Sequence, residues 1–388
     1  MPTKNLATLA LHADDAIPCE SDVAPPIHLS TTFEYPQLPE GHPGTGDFIY
    51  SRYHTPTRTR LETVLSALIR GPTLTYSTGV AAVHAYLVCL KPKRIAIGSG
   101  YYGSRQVANL YQDLTGCEIL TFDQLESLRE GDVIHLETPV NPTGEAQDIA
   151  AFAKKAHERG AYLAVDSTFA PPGLQDPFAL GADIVMHSGT KYFGGHHDLL
   201  CGTVSVRPER EGDWLQRLMD QRIVLGSVLG SMEGWLGLRS LRTLELRVKR
   251  QSENATELVG WLEELRSETG DSSNHVRDAV HSVRHASLQE GDMGWLKEQM
   301  PNGFGAVFSL ELKTQKMSRR LPAVLNLFQH ATSLGGVESQ VEWRMLVDAS
   351  ASPTLLRFSI GVENIADLKE DLYRGLGVVA KENAQVVD

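Results

Sequence analysis

An α/β fold with a mainly parallel sheet is what this chain predicts, and three observations carry the prediction. Between about residues 50 and 240, short apolar runs alternate with segments of helical period. The apolar runs are near-continuous, as strands covered on both faces are. Hydroxyl, charged and glycine residues then gather just after two of those runs, where open α/β sheets bind ligands.

Taken in order, residues 1–48 are rich in Pro and Gly (Pro25-Pro26, Pro36, Pro39, Gly41-His42-Pro43-Gly44) and read as an extended arm with little regular structure. So long an arm favours packing on a partner, hence an oligomer. Helices are expected over 79–90, 103–114 and 149–159, and strands over 94–98, 118–122, 132–137, 161–165, 182–187 and 201–206. A long helical pattern without proline covers 232–265. Beyond it, strand signals at 306–312 and 355–360 and helical signals at 318–330 and 366–376 read as a smaller α+β domain. The expected division is an arm (1–48), a large domain (49–240) and a C-terminal small domain (241–388). No repeat or low-complexity tract is evident.

The 388 residues are 41% hydrophobic and 22% charged, an ordinary globular composition with room for two domains. The net charge of −12, from 36 basic and 48 acidic residues, argues against nucleic acid as a partner. Cys19, Cys89, Cys117 and Cys201 form no C-x-x-C pair and lie in or near apolar runs, which reads as reduced, buried thiols in a cytoplasmic protein. The N-terminus is too short and polar for a secretory signal, and no apolar run reaches the about 18 residues a membrane span needs.

The chemistry concentrates between Val165 and Asp198. Asp166 ends the run Ala161-Tyr162-Leu163-Ala164-Val165. The next run is followed by Ser188-Gly189-Thr190-Lys191-Tyr192-Phe193-Gly194-Gly195-His196. An acid and a lysine at the ends of neighbouring strands suit a lysine that must lose its charge and condense with an aldehyde cofactor. The aldehyde this layout leads us to expect is pyridoxal 5'-phosphate. Its ring nitrogen must stay protonated to draw electrons, and a carboxylate beside it favours the charged form. Lone residues of either type are usually a solvated lysine and a turn former; the pairing and the hydroxyls around Lys191 mark the site.

Other motifs compete or contribute. Gly98-Ser99-Gly100-Tyr101-Tyr102-Gly103 spells G-x-G-x-x-G after a predicted strand, with Asp123 at the end of the next, the pattern of a nicotinamide-dependent oxidoreductase. Bulky Tyr101 and Tyr102 sit where a pyrophosphate needs close backbone approach, and that reading leaves Asp166 and Lys191 without a role. Ser77-Thr78-Gly79-Val80 precedes a helix whose free N–H groups suit a phosphate. Tyr50-Ser51-Arg52 points a phenol and a guanidinium to one side of an extended segment. His196-His197-Asp198 lacks the spacing of a metal site.

Together these residues resemble the Cys/Met-metabolism family of pyridoxal-phosphate enzymes, which includes cystathionine γ-synthases, cystathionine and methionine γ-lyases and acylhomoserine sulfhydrylases. The likeness runs from Tyr50-Ser51-Arg52 to Arg357-Phe358-Ser359-Ile360-Gly361. It implies a fold-type-I transferase with a seven-stranded sheet, and a homotetramer built from two dimers. By the same resemblance Lys191, Asp166 and Tyr102 would be catalytic: Lys191 bonded to the cofactor, Asp166 on its ring nitrogen, Tyr102 stacked on its ring. The amides of Gly79 and Val80, with Ser188 and Thr190, would hold the phosphate, and Tyr50 and Arg52 would reach the phosphate of a neighbouring subunit. Thr168 joins this cofactor set, and Asn141, in Glu137-Thr138-Pro139-Val140-Asn141-Pro142, would lie near the phenolic oxygen. Arg357 would grip the substrate α-carboxylate, with Ser333, Tyr102 and Asn141 lining the substrate site.

Departures fall on the substrate side. The family's N-T-F is Ser167-Thr168-Phe169 here, and N-G-H-S-D is Gly194-Gly195-His196-His197-Asp198. The position before S-L-G, often an acid, is Thr332, and the H-P-x-x-M-T-H stretch is replaced by Trp343-Arg344-Met345-Leu346-Val347-Asp348. The expected reaction is γ-substitution on an O-acylated homoserine with a thiol or carbon nucleophile. Elimination from a sulfur amino acid is the alternative.

Overall fold

The computed structural model describes residues 4–17, 21–35, 48–269 and 274–385. Seven strands form the central sheet: β1 (Thr73–Tyr76), β2 (Arg94–Ile97), β3 (Glu118–Leu120), β4 (Val133–Glu137), β5 (Tyr162–Asp166), β6 (Ile184–Ser188) and β7 (Gly202–Val206). Their order is β1-β7-β6-β5-β4-β2-β3. Strands β3, β2, β4, β5 and β6 run parallel, and β7 is antiparallel to both β6 and β1.

Both faces of the parallel part of this sheet are apolar, which is why β2, β4, β5 and β6 carry few polar residues, whereas β1 and β7 alternate, with Thr73, Thr75, Thr203 and Ser205 buried among them. Ile134, Leu163 and Val165 point into one buried cluster with Leu61, Val64 and Leu65. Their neighbours Val133, Ala164 and Ile184 point into the other, with Val83 and Tyr86. Helix α1 (Leu6–His12) and helix α2 (Pro56–Ile69) lie on the first side; helix α3 (Gly79–Leu90) lies on the second, and helix α4 (Tyr102–Thr115) packs on α3.

A smaller sheet follows: β8 (Val280–Arg284), β9 (Val307–Leu312), β10 (Gln329–His330), β11 (Gln340–Trp343) and β12 (Leu355–Ser359), ordered β10-β11-β12-β9-β8. The sequence expectation of a mainly parallel seven-stranded sheet with a smaller C-terminal α+β unit therefore holds.

Two local expectations do not. The arm, read as having little regular structure, carries one short helix, α1. Asn5 caps α1 by accepting from Thr8 N at 3.1 Å, and Asp14 behind it pairs with Arg60 and Arg242 at 3.4 and 3.0 Å. The arm's Pro36, Pro39 and Gly41-His42-Pro43-Gly44, and Cys19, lie outside the described residues; Cys89, Cys117 and Cys201 are free and buried. The 232–265 helix is two, Ser231–Leu241 and Leu244–Ser267. At the break Arg242 donates to Ala10 O at 2.8 Å, tying the turn to α1. The 318–330 helix is instead Gln315–Arg320, one turn at Leu321–Ala323 and strand β10; Pro322 cannot continue an α-helix.

Candidate active site

Register brings two acids together. Glu137 and Asp166 end neighbouring strands β4 and β5 and are direct partners in the parallel ladder. Asp166 Oδ1 accepts from Thr168 N at 3.0 Å and Thr168 Oγ1 at 2.5 Å, and Thr168 Oγ1 accepts in turn from Ser188 N at 2.9 Å. A short turn after β5 thus fixes the acid and ties it to the end of β6. Burial raises the Asp166 carboxyl above its ordinary range, opposed by its bonds from Thr168 and by Lys191.

Lys191 follows β6 in a turn whose N–H donates to Ser188 O at 3.1 Å. Its Nζ donates to Ser333 Oγ at 2.6 Å, across 142 residues of sequence. Burial, then the Arg357 charge, pushes the lysine down from 10.5 to about 8. A half-buried lysine so placed has a usable fraction of neutral amine near physiological pH.

Helix α3 presents its N-terminus to the same place. Thr78 caps it by accepting from Ala81 N at 3.1 Å, which leaves the Gly79 and Val80 N–H groups without an intrahelical acceptor. Any Cβ on Gly79 would come within 3.2 Å of the Ser188 side chain, so glycine permits this approach. Ser188 is therefore beside the helix end. Thr190 Oγ1 accepts from Cys201 N at 3.0 Å.

On the other side, Arg357 on β12 donates from Nη1 to Asn141 Oδ1 at 3.1 Å and from Nη2 to Ser333 O at 2.8 Å. Asn141 N and Tyr101 N donate to the two oxygens of Glu137 at 2.6 and 2.7 Å. One buried carboxylate thereby places both Asn141 and the start of α4, where Tyr102 stands 47% exposed with its ring 5.0 Å from that of Tyr101. Burial and Asp166 push Glu137 up to about 8. Sequence reasoning gave Glu137 no role, although it closes an apolar strand just as Asp166 does. It also missed Glu342 and Arg344, which pair beside Arg357.

Asp166, Thr168, Ser188, Lys191, Ser333, Asn141 and Arg357 are thus joined by hydrogen bonds, with Gly79, Val80 and Tyr102 beside them. Tyr50 and Arg52 stand apart. Tyr50 bridges to Thr32, and Arg52 donates to Ile223 O at 3.1 Å and lies 5.7 Å from the Tyr50 ring. His197 pairs with Glu338 at 3.3 Å, and His196 Nδ1 is 2.8 Å from Gly194 O.

The G-x-G-x-x-G run does not offer a nucleotide loop. A Cβ at Gly98 would strike Phe122, one at Gly100 the Glu137 carboxylate, and one at Gly103 the Tyr101 ring, so these glycines make room for the protein's own side chains. Asp123 lies not at a strand end but exposed in the short 3-10 helix Phe122–Ser127.

The model of the Cys/Met metabolism PLP-dependent enzymes matches residues 7–377. The chain belongs to that family. Among its relatives, the cystathionine γ-synthase of Escherichia coli is 34% identical over 98% of this chain and 100% of its own length. The cystathionine β-lyase MetC of Bacillus subtilis is 32% identical over 92% of each. The crystal structure of apo methionine γ-lyase from Micromonospora echinospora superposes with a TM-score of 0.84 at 34% identity, covering 97% of this chain and 100% of that one. As a member of the family, the protein uses pyridoxal 5'-phosphate. Its residues fit that cofactor: a lysine lowered toward neutrality, a buried acid on the adjoining strand, and an open helix N-terminus where a phosphate would lie. Family members carry out substitution and elimination on amino acids, and both synthases and lyases stand among the relatives.

Proposed function

We propose that the protein catalyses γ-substitution on an O-acylated homoserine. The observation that carries this reading is the half-buried Lys191, lowered to about 8, with Nζ 2.6 Å from Ser333 Oγ beside Arg357. Pyridoxal 5'-phosphate, when bound, supplies an electron sink conjugated to the substrate α-carbon.

In this reading Lys191, Asp166 and Tyr102 are the catalytic residues. Asp166 keeps a negative charge against the cofactor ring nitrogen, with Thr168 holding it in place. Gly79 and Val80 amides, Ser188 and Thr190 hold the phosphate, and Tyr102 covers the ring. Arg357 binds the substrate α-carboxylate, with Asn141 and Ser333 setting the guanidinium. Lys191 Nζ takes the proton from Cα and then serves the neighbouring carbons, so one mobile base covers several proton transfers. Tyr50 and Arg52 complete the phosphate site of a neighbouring subunit in a homotetramer. Residues 49–240 form the cofactor-binding unit and 241–388 the smaller unit that supplies Ser333 and Arg357.

Likeness to a cystathionine γ-synthase along the whole of both chains supports substitution. The changed stretch Trp343–Asp348 supports a nucleophile, thiol or carbon acid, other than the family's usual one. The experiment supplies O-acetyl- and O-succinylhomoserine with a panel of thiols and carbon acids and identifies products by mass. New Cγ–S or Cγ–C products are expected; release of 2-oxobutyrate at the same rate with and without nucleophile would establish elimination instead. That second reading is favoured by the β-lyase and γ-lyase relatives.

A further inference from the structure

Two arginines share one carboxylate oxygen on the small sheet. Glu342 on β11 faces Arg357 on β12 in the antiparallel register, and its Oε2 lies 2.9 Å from Arg357 Nη2. The same oxygen accepts a hydrogen bond from Arg344 Nη1. Glu342, Arg357 and Arg344 are 3%, 5% and 6% exposed. Glu342 Oε1 and Arg344 Nε are buried without a hydrogen-bond partner, so this cluster is not closed on itself.

An arginine grips a carboxylate at two points through Nη2 together with either Nη1 or Nε. Nη2 carries two protons, and it already faces two oxygens, Ser333 O at 2.8 Å and Glu342 Oε2 at 2.9 Å. A third oxygen needs one of them to leave. Ser333 O belongs to the backbone, whereas Glu342 is a side chain with a second cation already in contact. Resting on the carboxylate role proposed for Arg357, we propose that Glu342 is a resident stand-in for the substrate carboxylate, and that Arg344 is the positioning residue that draws it off Arg357 as substrate enters. Substrate affinity is then set by a competition between two carboxylates for one guanidinium. Arg344 biases it, in the stretch where this chain departs from the family's H-P-x-x-M-T-H. The exchange keeps every charge paired: Glu342 stays on Arg344, and the incoming carboxylate takes its place on Arg357.

The test titrates the cofactor-loaded protein with L-alanine, and with ethylamine, which lacks the carboxylate, following the visible spectrum. Glu342→Gln, nearly isosteric, is expected to tighten L-alanine about fivefold or more and leave ethylamine unchanged. Arg344→Met is expected to weaken L-alanine by a similar factor, and the double variant to return to the Glu342→Gln value. Unchanged or weaker L-alanine binding in Glu342→Gln, or equal shifts for both ligands, overturns the exchange. Arg357→Lys separates the two claims. If it weakens L-alanine while Glu342→Gln does not tighten it, only the exchange fails. If it leaves L-alanine unchanged, the carboxylate role of Arg357 fails, and the exchange with it.

Discussion

At the carboxyl ends of β5 and β6, Asp166, Thr168 and Ser188 are joined by bonds spanning at most 20 residues of sequence. Across the site, Arg357 meets Asn141 over 216 residues, and Lys191 meets Ser333 over 142. The first wall is set by ladder register and a tight turn, which a short sequence specifies by itself. The second exists only once the small sheet has packed against the large one, and it is held by buried ions whose desolvation must be offset by good pairing. A damaged first wall should therefore cost chemistry, and a damaged second wall should cost substrate affinity.

Lys191→Ala gives the largest expected effect: loss of the visible band of the lysine-linked cofactor and an activity loss of about a thousandfold or more. Retention of both would remove the first wall from the chemistry. Asp166→Asn should lower kcat roughly a hundredfold with a smaller change in KM, since the role proposed for this carboxylate is on the cofactor. Arg357→Lys should do the reverse, raising KM about tenfold with kcat nearly kept, because lysine cannot form the two-point grip. If the Asp166 loss fell mainly on KM and the Arg357 loss on kcat, the contrast between the walls would be broken.

A pH measurement sharpens the first wall. Burial and Arg357 disfavour the Lys191 ammonium, so the folded-state value sits at about 8, below 10.5. Neutral amine is the reactive form and grows as pH rises. Uptake of cofactor aldehyde by the cofactor-free protein should therefore speed up through a midpoint near pH 8; a midpoint near 10 would show an unperturbed lysine. Thr168→Val is the smallest expected change. It strips a buried bond from Asp166 and leaves Ser188 N unpaired, a cost of about 1–3 kcal/mol read from denaturant unfolding.

What was legible follows the same divide. Strands β4 to β6 could be read because their residues alternate between two apolar clusters, leaving near-continuous apolar runs. Strand β11 could not, since Gln340 and Glu342 are polar yet buried, Glu342 by ion pairing with Arg357 and Arg344. Glu137 lay in a quoted motif without a role, because its partners are the backbone amides of Tyr101 and Asn141, which no residue pattern marks. Helix α1 went unseen for a related reason: its hold on the body comes from Asp14 reaching Arg60 and Arg242.

Local sequence determined the sheet, the strand-end acid, the lysine and the open helix terminus, since periodicity, capping and turn chemistry act over a few residues. Tertiary packing alone decided that Ser333 meets Lys191, that Asn141 meets Arg357, and that Glu342 is shared between two arginines. Those contacts depend on how two sheets settle against each other. The energy of a buried ion is set by whatever the fold brings within a few ångströms of it, not by its neighbours along the chain.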